Sequence, residues 1–165
     1  MHTRPQRKPT RASGFDYREP GPYFVTICEY RRINRFGMIH DQEMQPNAAG
    51  QMVLEAWESL TSRYPKVAFD VCVLMPNHFH ALLTLGTLDV ASNAPVTAIV
   101  QLFNTLTTKR YIQGVRHEGW PPFDTHLWQP SFHDRIVRND AEMGHIRTYI
   151  ANNPALWSGD TFHEP

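Results

Sequence analysis

Two histidines separated by one residue, His78-Phe79-His80, open a run of apolar and β-branched residues that reads as a strand. Alternation along a strand sends both imidazoles to one sheet face, roughly 7 Å apart along the chain, and Phe79 to the other. Imidazole binds many first-row divalent ions, so such a pair can grip one metal; it also suits an ordinary exposed strand pair. Tyr149 and Asn153 are four residues apart in a segment of helical periodicity, which puts a phenol and an amide oxygen on one helical face, with Arg147 and Asn152 nearby. A phenol, an amide and a guanidinium on one surface suit attack on a phosphodiester. Tyr149 equally continues the stripe of Met143 and Ile146, as a core aromatic does.

The elements that position these groups follow from pattern and punctuation. Pro22 to Glu29 is rich in β-branched and aromatic residues and follows Pro20-Gly21, a turn signal, so it reads as a first strand. A small hairpin is expected at Phe36–His40 and Glu43–Met44, turning at Asp41-Gln42. Asn47 opens a helix with Val53, Trp57, Leu60 and Tyr64 at helical spacing, closed by Pro65. Val67–Met75 and His78–Leu85 pair as a hairpin through Pro76-Asn77. Asn93 and Pro95 introduce a second helix with Val96, Ile99, Phe103 and Leu106 on one face, ending near Gly114. Val115 to Leu127 reads as a loop and Phe132 to Val137 as a fourth strand. Asn139 with Glu142 three residues later resembles a capping box, so a third helix runs from Asp140 to Asn152, stopped by Pro154. The order predicts an α+β chain of ferredoxin-like, split βαββαβ type: an antiparallel sheet, helices on one face, and a C-terminal helix carrying Tyr149.

At 165 residues the chain is one ordinary domain, too short for a (β/α)8 barrel. Lys+Arg and Asp+Glu are 16 each, which at face value argues against an acidic partner such as nucleic acid. By position the zero dissolves: through Arg35 there are 8 basic and 3 acidic residues, and afterwards 8 and 13. A basic head of about +5 precedes an acidic body of about −5. Residues 1–14 read as a disordered basic arm, 15–158 as one domain, and 159–165 as a tail. No apolar window is long enough for a membrane span, and the N-terminus lacks the apolar stretch of a secretory signal. Cys28 and Cys72, each inside a strand-like run, are expected to be reduced core residues of a cytoplasmic protein.

Several motifs carry a family resemblance in order along the chain: Tyr23-Phe24-Val25-Thr26-Ile27, Met75-Pro76-Asn77-His78-Phe79-His80, Trp128-Gln129-Pro130 with Phe132 and Arg138, and Tyr149-Ile150 with Asn153-Pro154. Over about residues 15–158 the chain resembles the REP-associated tyrosine transposases, of the single-tyrosine HUH transposase superfamily. The Met-Pro-Asn-His-x-His block is the specific one. The resemblance implies a metal-dependent endonuclease and strand transferase acting on single-stranded DNA with a hairpin or palindromic repeat, in the bacterial cytoplasm at the nucleoid, as a monomer or a dimer. It implies Tyr149 as nucleophile forming a 5′-phosphotyrosine, with His78, His80 and Asn153 as ligands of Mg²⁺ or Mn²⁺. Two departures stand out. Relatives often have Asp-His where this chain has Asp134-Arg135, and many have Lys after Phe in the second helix where this chain has Asn104.

DNA contacts are expected from Arg4, Arg7, Lys8, Arg11, Arg18, Arg31, Arg32 and Arg35, which can neutralise phosphates, and from Arg138 and Arg147. Trp120, Phe123 and Trp128 are candidates for stacking on unpaired bases, against a plain reading as core. Two other function classes fit the same residues. One is a metal-dependent phosphoesterase that activates water and leaves Tyr149 structural. The other is a non-catalytic single-stranded nucleic-acid-binding module, since RNA-recognition domains share this element order.

Overall fold

The computed structural model describes residues 19–86 and 94–159. The arm residues Arg4, Arg7, Lys8, Arg11 and Arg18, together with Asn93 and the tail from residue 160, lie outside the described residues.

Strand β1 (Gly21–Cys28) leads through a loop into a hairpin of β2 (Gly37–His40) and β3 (Glu43–Pro46), whose turn residues Asp41 and Gln42 both have positive φ. That pair of left-handed residues gives a turn whose twist matches the flanking strands. Helix α1 (Ala48–Arg63) is capped by the Asn47 side chain, which accepts from the Gly50 amide at 2.9 Å. The sheet continues with β4 (Val67–Met75) and β5 (His78–Leu85), then helix α2 (Val96–His117), β6 (His133–Ile136) and helix α3 (Asp140–Asn152).

The four long-range strands are antiparallel in the order β4-β5-β1-β6, the ferredoxin-like arrangement. Alternation separates the two faces. Tyr23, Val25 and Ile27 of β1 and Phe79, Ala81, Leu83 and Leu85 of β5 join the α1 and α2 residues in one large core. Leu82 of β5 instead joins Val137, Ile146 and Ile150, so α3 covers the opposite face. The strand parity that sends Phe79 into the main core therefore sends His78 and His80 toward α3.

Three local expectations change. Helix α2 runs past Gly114 to His117, because Gly114 is a packing position rather than a stop: a Cβ there would lie 2.2 Å from a ring carbon of Trp120. Strand β6 is shorter than Phe132–Val137, and both flanking residues are buried. Cys28 is buried as expected, whereas Cys72 is exposed. The register of β4 slips between Phe69 and Cys72, which places Cys72 opposite Ala81 on the outer strand of the sheet. No helix among the described residues is long and apolar enough to cross a membrane.

Candidate functional site

Each imidazole of the pair is held by its neighbours. The Pro76-Asn77 connection between β4 and β5 is anchored on both carbonyls, with Phe36 N donating to Pro76 O at 3.0 Å and Glu29 N to Asn77 O at 2.9 Å. The Asn77 amide is oriented by its Nδ2, which donates to the Arg32 carbonyl at 3.0 Å. Its Oδ1 then faces His78 Nδ1 at 2.8 Å. An amide oxygen only accepts, so Nδ1 of His78 carries the proton and Nε2 carries the lone pair. His80, opposite Thr26 in the β1–β5 register, has its Nδ1 2.7 Å from Thr26 Oγ1. Both imidazoles are buried, and their ring centroids are 4.6 Å apart. Burial, and second the neighbouring His78, hold His80 well below the usual imidazole range, so it is neutral at pH 7 and available as a donor.

Aromatic rings wall the pair. Phe24 stacks on His80 at 5.3 Å, and Trp157, in the 3-10 turn after α3, lies parallel to His78 at 6.0 Å. Tyr149 projects from α3 with its ring 5.5 Å from His80 and edge-on to Phe24 at 6.1 Å, yet it remains 40% exposed. The reading of Tyr149 as an ordinary core aromatic therefore does not hold. Asn153, at the end of α3, falls in sequence between the residue that meets His80 and the residue that meets His78. It is 2% exposed, and its buried Oδ1 has no hydrogen-bond partner. A buried amide oxygen without a donor is costly unless a cation or a donor meets it.

Among the described residues no cluster of three His, Cys, Asp or Glu side chains forms. The donors gathered here are two imidazoles and one amide oxygen, with no carboxylate among them, and this set fits a divalent cation whose charge stays available to an anionic substrate.

The expected DNA-contacting residues divide. Arg35 is not free for phosphate: it is buried against Glu29, with Nε donating to Oε1 at 3.0 Å, and its Nη1 reaches the Tyr111 hydroxyl. Glu29 also accepts from the amides of Arg31 and Ile33, so this pair ties down the loop that presents the Arg32 carbonyl to Asn77. Trp128 is not available to stack on bases: it is 4% exposed, packed between Phe36 and Phe103, and its Nε1 donates to Thr107 Oγ1 at 2.8 Å. Trp120 and Phe123 pack on Tyr111. Arg31 pairs with Asp124 at the surface, and Arg147 reaches Asp70 on β4 at 2.6 Å. Arg138 is exposed at the start of α3.

Thr26, Asn77, Phe24 and Trp157 complete the site without having been singled out for it. The alternation of β1 did put Phe24 and Thr26 on the same face, but only strand pairing places Thr26 opposite His80. The sequence marked Asn77 as a turn residue and as part of the Met-Pro-Asn-His-x-His block, without a role at the site.

Over 169 residues the chain is 30% identical to an uncharacterized protein of Haemophilus influenzae, covering 95% of this chain and 93% of the relative. The chain belongs to that protein's family. No family model matches it. Among solved structures the fold is similar to that of a REP-associated tyrosine transposase bound to a REP hairpin, with a TM-score of 0.61 at 20% identity over 88% of this chain and 71% of that one. The chain thus has a transposase-like fold.

Proposed function

We propose that the protein is a metal-dependent single-stranded DNA endonuclease and strand transferase, a transposase-type enzyme, acting beside a hairpin. The observation that carries this reading is Tyr149, half-exposed with its ring 5.5 Å from a buried, neutral His80. The REP hairpin held by the transposase of similar fold supports a hairpin as the substrate class.

His78 Nε2, His80 and Asn153 Oδ1 would hold the ion, Mg²⁺ or Mn²⁺. Bound there, it would supply Lewis-acid polarisation of the scissile phosphate. Asn77 and Thr26 orient the two imidazoles through their Nδ1 atoms, so the donor atoms need no reorganisation. Phe24 and Trp157 exclude water from the imidazole faces. The Tyr149 oxygen attacks phosphorus: a Tyr–O–P bond forms, the P–O3′ bond breaks, and the phenol loses its proton. The products are a 5′-phosphotyrosine and a free 3′-hydroxyl, and attack by a 3′-hydroxyl reverses the step and rejoins DNA. An ordinary phenol titrates near pH 10, so the attack should accelerate with rising pH.

The test is covalent trapping with a labelled hairpin oligonucleotide carrying a single-stranded flank, in Mn²⁺. A protein–DNA adduct is expected from the native chain and none from Tyr149→Phe. Cleavage without any adduct would instead identify a water-activating phosphoesterase, and binding without cleavage a non-catalytic module.

A further inference from the structure

The buried ion pair of Glu29 and Arg35 has no place in the chemistry above. Glu29 directly follows β1 and is 1% exposed, and its carboxylate meets Arg35 rather than the imidazoles. A carboxylate and a guanidinium taken out of water give little net stability over an apolar pair, so stability alone does not account for them. The loop that follows is folded onto Glu29. Three successive N–H groups turn to it: Arg31 N and Ile33 N donate to Oε2 at 2.7 and 2.9 Å, and Arg32 N donates to the Glu29 carbonyl at 3.2 Å. Arg32 is thereby held at φ 59°, a left-handed conformation that a long side chain seldom adopts. With its N–H turned to Glu29, its carbonyl accepts from Asn77 Nδ2 at 3.0 Å, and Asn77 Oδ1 meets His78 Nδ1 at 2.8 Å. The Glu29 amide also donates to Asn77 O at 2.9 Å, so backbone and side chain of Glu29 bear on the same asparagine. The second carboxylate oxygen is fixed from behind. It accepts from Arg35 Nε at 3.0 Å, Arg35 Nη1 donates to the Tyr111 hydroxyl of α2 at 3.2 Å, and that hydroxyl donates to Pro121 O at 2.7 Å.

We propose that Glu29 is a positioning residue for His78: through the loop of residues 30–33 and Asn77 it fixes the imidazole with its proton on Nδ1 and its lone pair on Nε2. This rests on the reading of His78 as a metal ligand and extends the support of that ligand to a residue it does not touch. An apolar side chain at position 29 would fill the same space but offer no acceptor to the Arg31 and Ile33 amides. Arg32 then leaves the left-handed region, and its carbonyl swings off Asn77. An asparagine released in this way can turn its amide over and present Nδ2 to His78. Facing a donor, Nδ1 must accept, so the proton moves to Nε2, the atom that would bind the ion. The path serves one imidazole. His80 takes its orientation from Thr26 across the β1–β5 pairing, a contact made inside the sheet. Loosening the loop therefore changes His78 and spares His80, which general destabilisation does not do.

The experiment reads both histidines of the metal-free full chain by long-range proton–nitrogen NMR, and then measures Mn²⁺ affinity by titration. Glu29→Met is expected to turn His78 from Nδ1–H to a mixture with Nε2–H, to leave the His80 tautomer native, and to weaken Mn²⁺ binding about tenfold. Glu29→Gln, which keeps one oxygen for the two loop amides, should restore Nδ1–H. Ile33→Pro reaches the same path from an exposed position should Glu29→Met fail to fold. It deletes one donor to Glu29 and drives Arg32 toward extended backbone, so His78 again becomes a mixture. A native His78 tautomer in Glu29→Met, or in Ile33→Pro where Glu29→Met does not fold, overturns the proposal. So does an equal change at His78 and His80, or a Glu29→Gln protein as disturbed as Glu29→Met. These spectra need neither DNA nor turnover. A missing adduct in the native chain overturns the Tyr149 reading alone, whereas an adduct together with an unmoved His78 tautomer overturns the role of Glu29 alone.

Discussion

The two faces of β5 are equally buried and chemically opposite. Phe79, Ala81, Leu83 and Leu85 enter a core in which Trp57, Phe79, Phe103, Trp128 and Phe36 contact one another ring to ring. His78 and His80, one residue away on either side of Phe79, enter a space where each imidazole Nδ1 faces a specific polar neighbour and an exposed tyrosine stands beside them. Burial alone therefore does not distinguish core from site. What distinguishes them is whether the buried group is satisfied by surrounding carbon or by specific hydrogen bonds that fix its orientation.

Exchange of one atom should separate the faces most sharply. Tyr149→Phe is expected to abolish the covalent adduct, a loss of at least about 1,000-fold, while urea denaturation shifts by no more than about 0.5 kcal/mol. A residual adduct above that level would place the nucleophile elsewhere, but not at Tyr111, which is fully buried in the main core with its hydroxyl donating to Pro121 O. The mirror experiment is Phe79→Ala. Removing a ring at 0% exposure from the centre of the aromatic core should cost about 3–5 kcal/mol, lowering Tm by on the order of 10 °C. If Phe79→Ala melts like the native protein, the main core is not organised around that ring.

Strand parity made much of this legible beforehand. The alternation through His78-Phe79-His80 needs only the period of a strand, and the Tyr149–Asn153 spacing needs only that of a helix, so both faces could be assigned from the chain itself. The ends of β4, β5 and α3 were equally readable, because Pro76-Asn77, Asn139 and Pro154 punctuate them. The errors concern partners distant in sequence. Arg35 looks like a phosphate-binding cation until Glu29 and Tyr111, the latter 76 residues away, are brought to it. Trp128 looks like a stacking platform until Thr107 is brought to its indole nitrogen. The exposure of Cys72 depends on a bulge in an outer strand, for which the apolar run Val67–Met75 gives no sign.

The orientation of His78 is the next thing to test, because Asn77 belongs to the turn and acts on the site. Asn77→Leu removes the acceptor for His78 Nδ1 and is expected to weaken Mn²⁺ binding by about 10–100-fold. In the metal-free protein, long-range proton–nitrogen NMR should show the Nδ1–H tautomer of His78 in the native chain and a mixture in Asn77→Leu. Asn77→Asp, which keeps an acceptor oxygen, should retain Nδ1–H. A native-like spectrum from Asn77→Leu would leave Asn77 with only its turn.

The smallest effects lie where α3 begins, since that helix carries the tyrosine but contributes a thin core. The Asn139 side chain accepts from the Glu142 amide at 2.8 Å, and Asn139→Ala should cost about 1 kcal/mol. Glu142 reaches back one residue further than in a standard capping box, accepting from the Arg138 amide at 2.8 Å and pairing with Arg135. The Arg138 amide first, and the Arg135 side chain after it, hold this carboxyl below the usual glutamate range. A carboxyl lowered in the folded state stabilises it above the ordinary glutamate pKa, and that contribution is lost as pH falls through the lowered value. Urea midpoints at pH 7 and pH 3 should therefore differ less in Glu142→Gln than in the native chain. Because the pair lies at the surface, with Glu142 half-buried and Arg135 exposed, solvent screens it and the change should be smaller than that from Asn139→Ala. Identical acid sensitivity in the two proteins would mean that α3 is anchored by Ile146 and Ile150 alone, and that its polar first turn adds nothing to the placement of Tyr149.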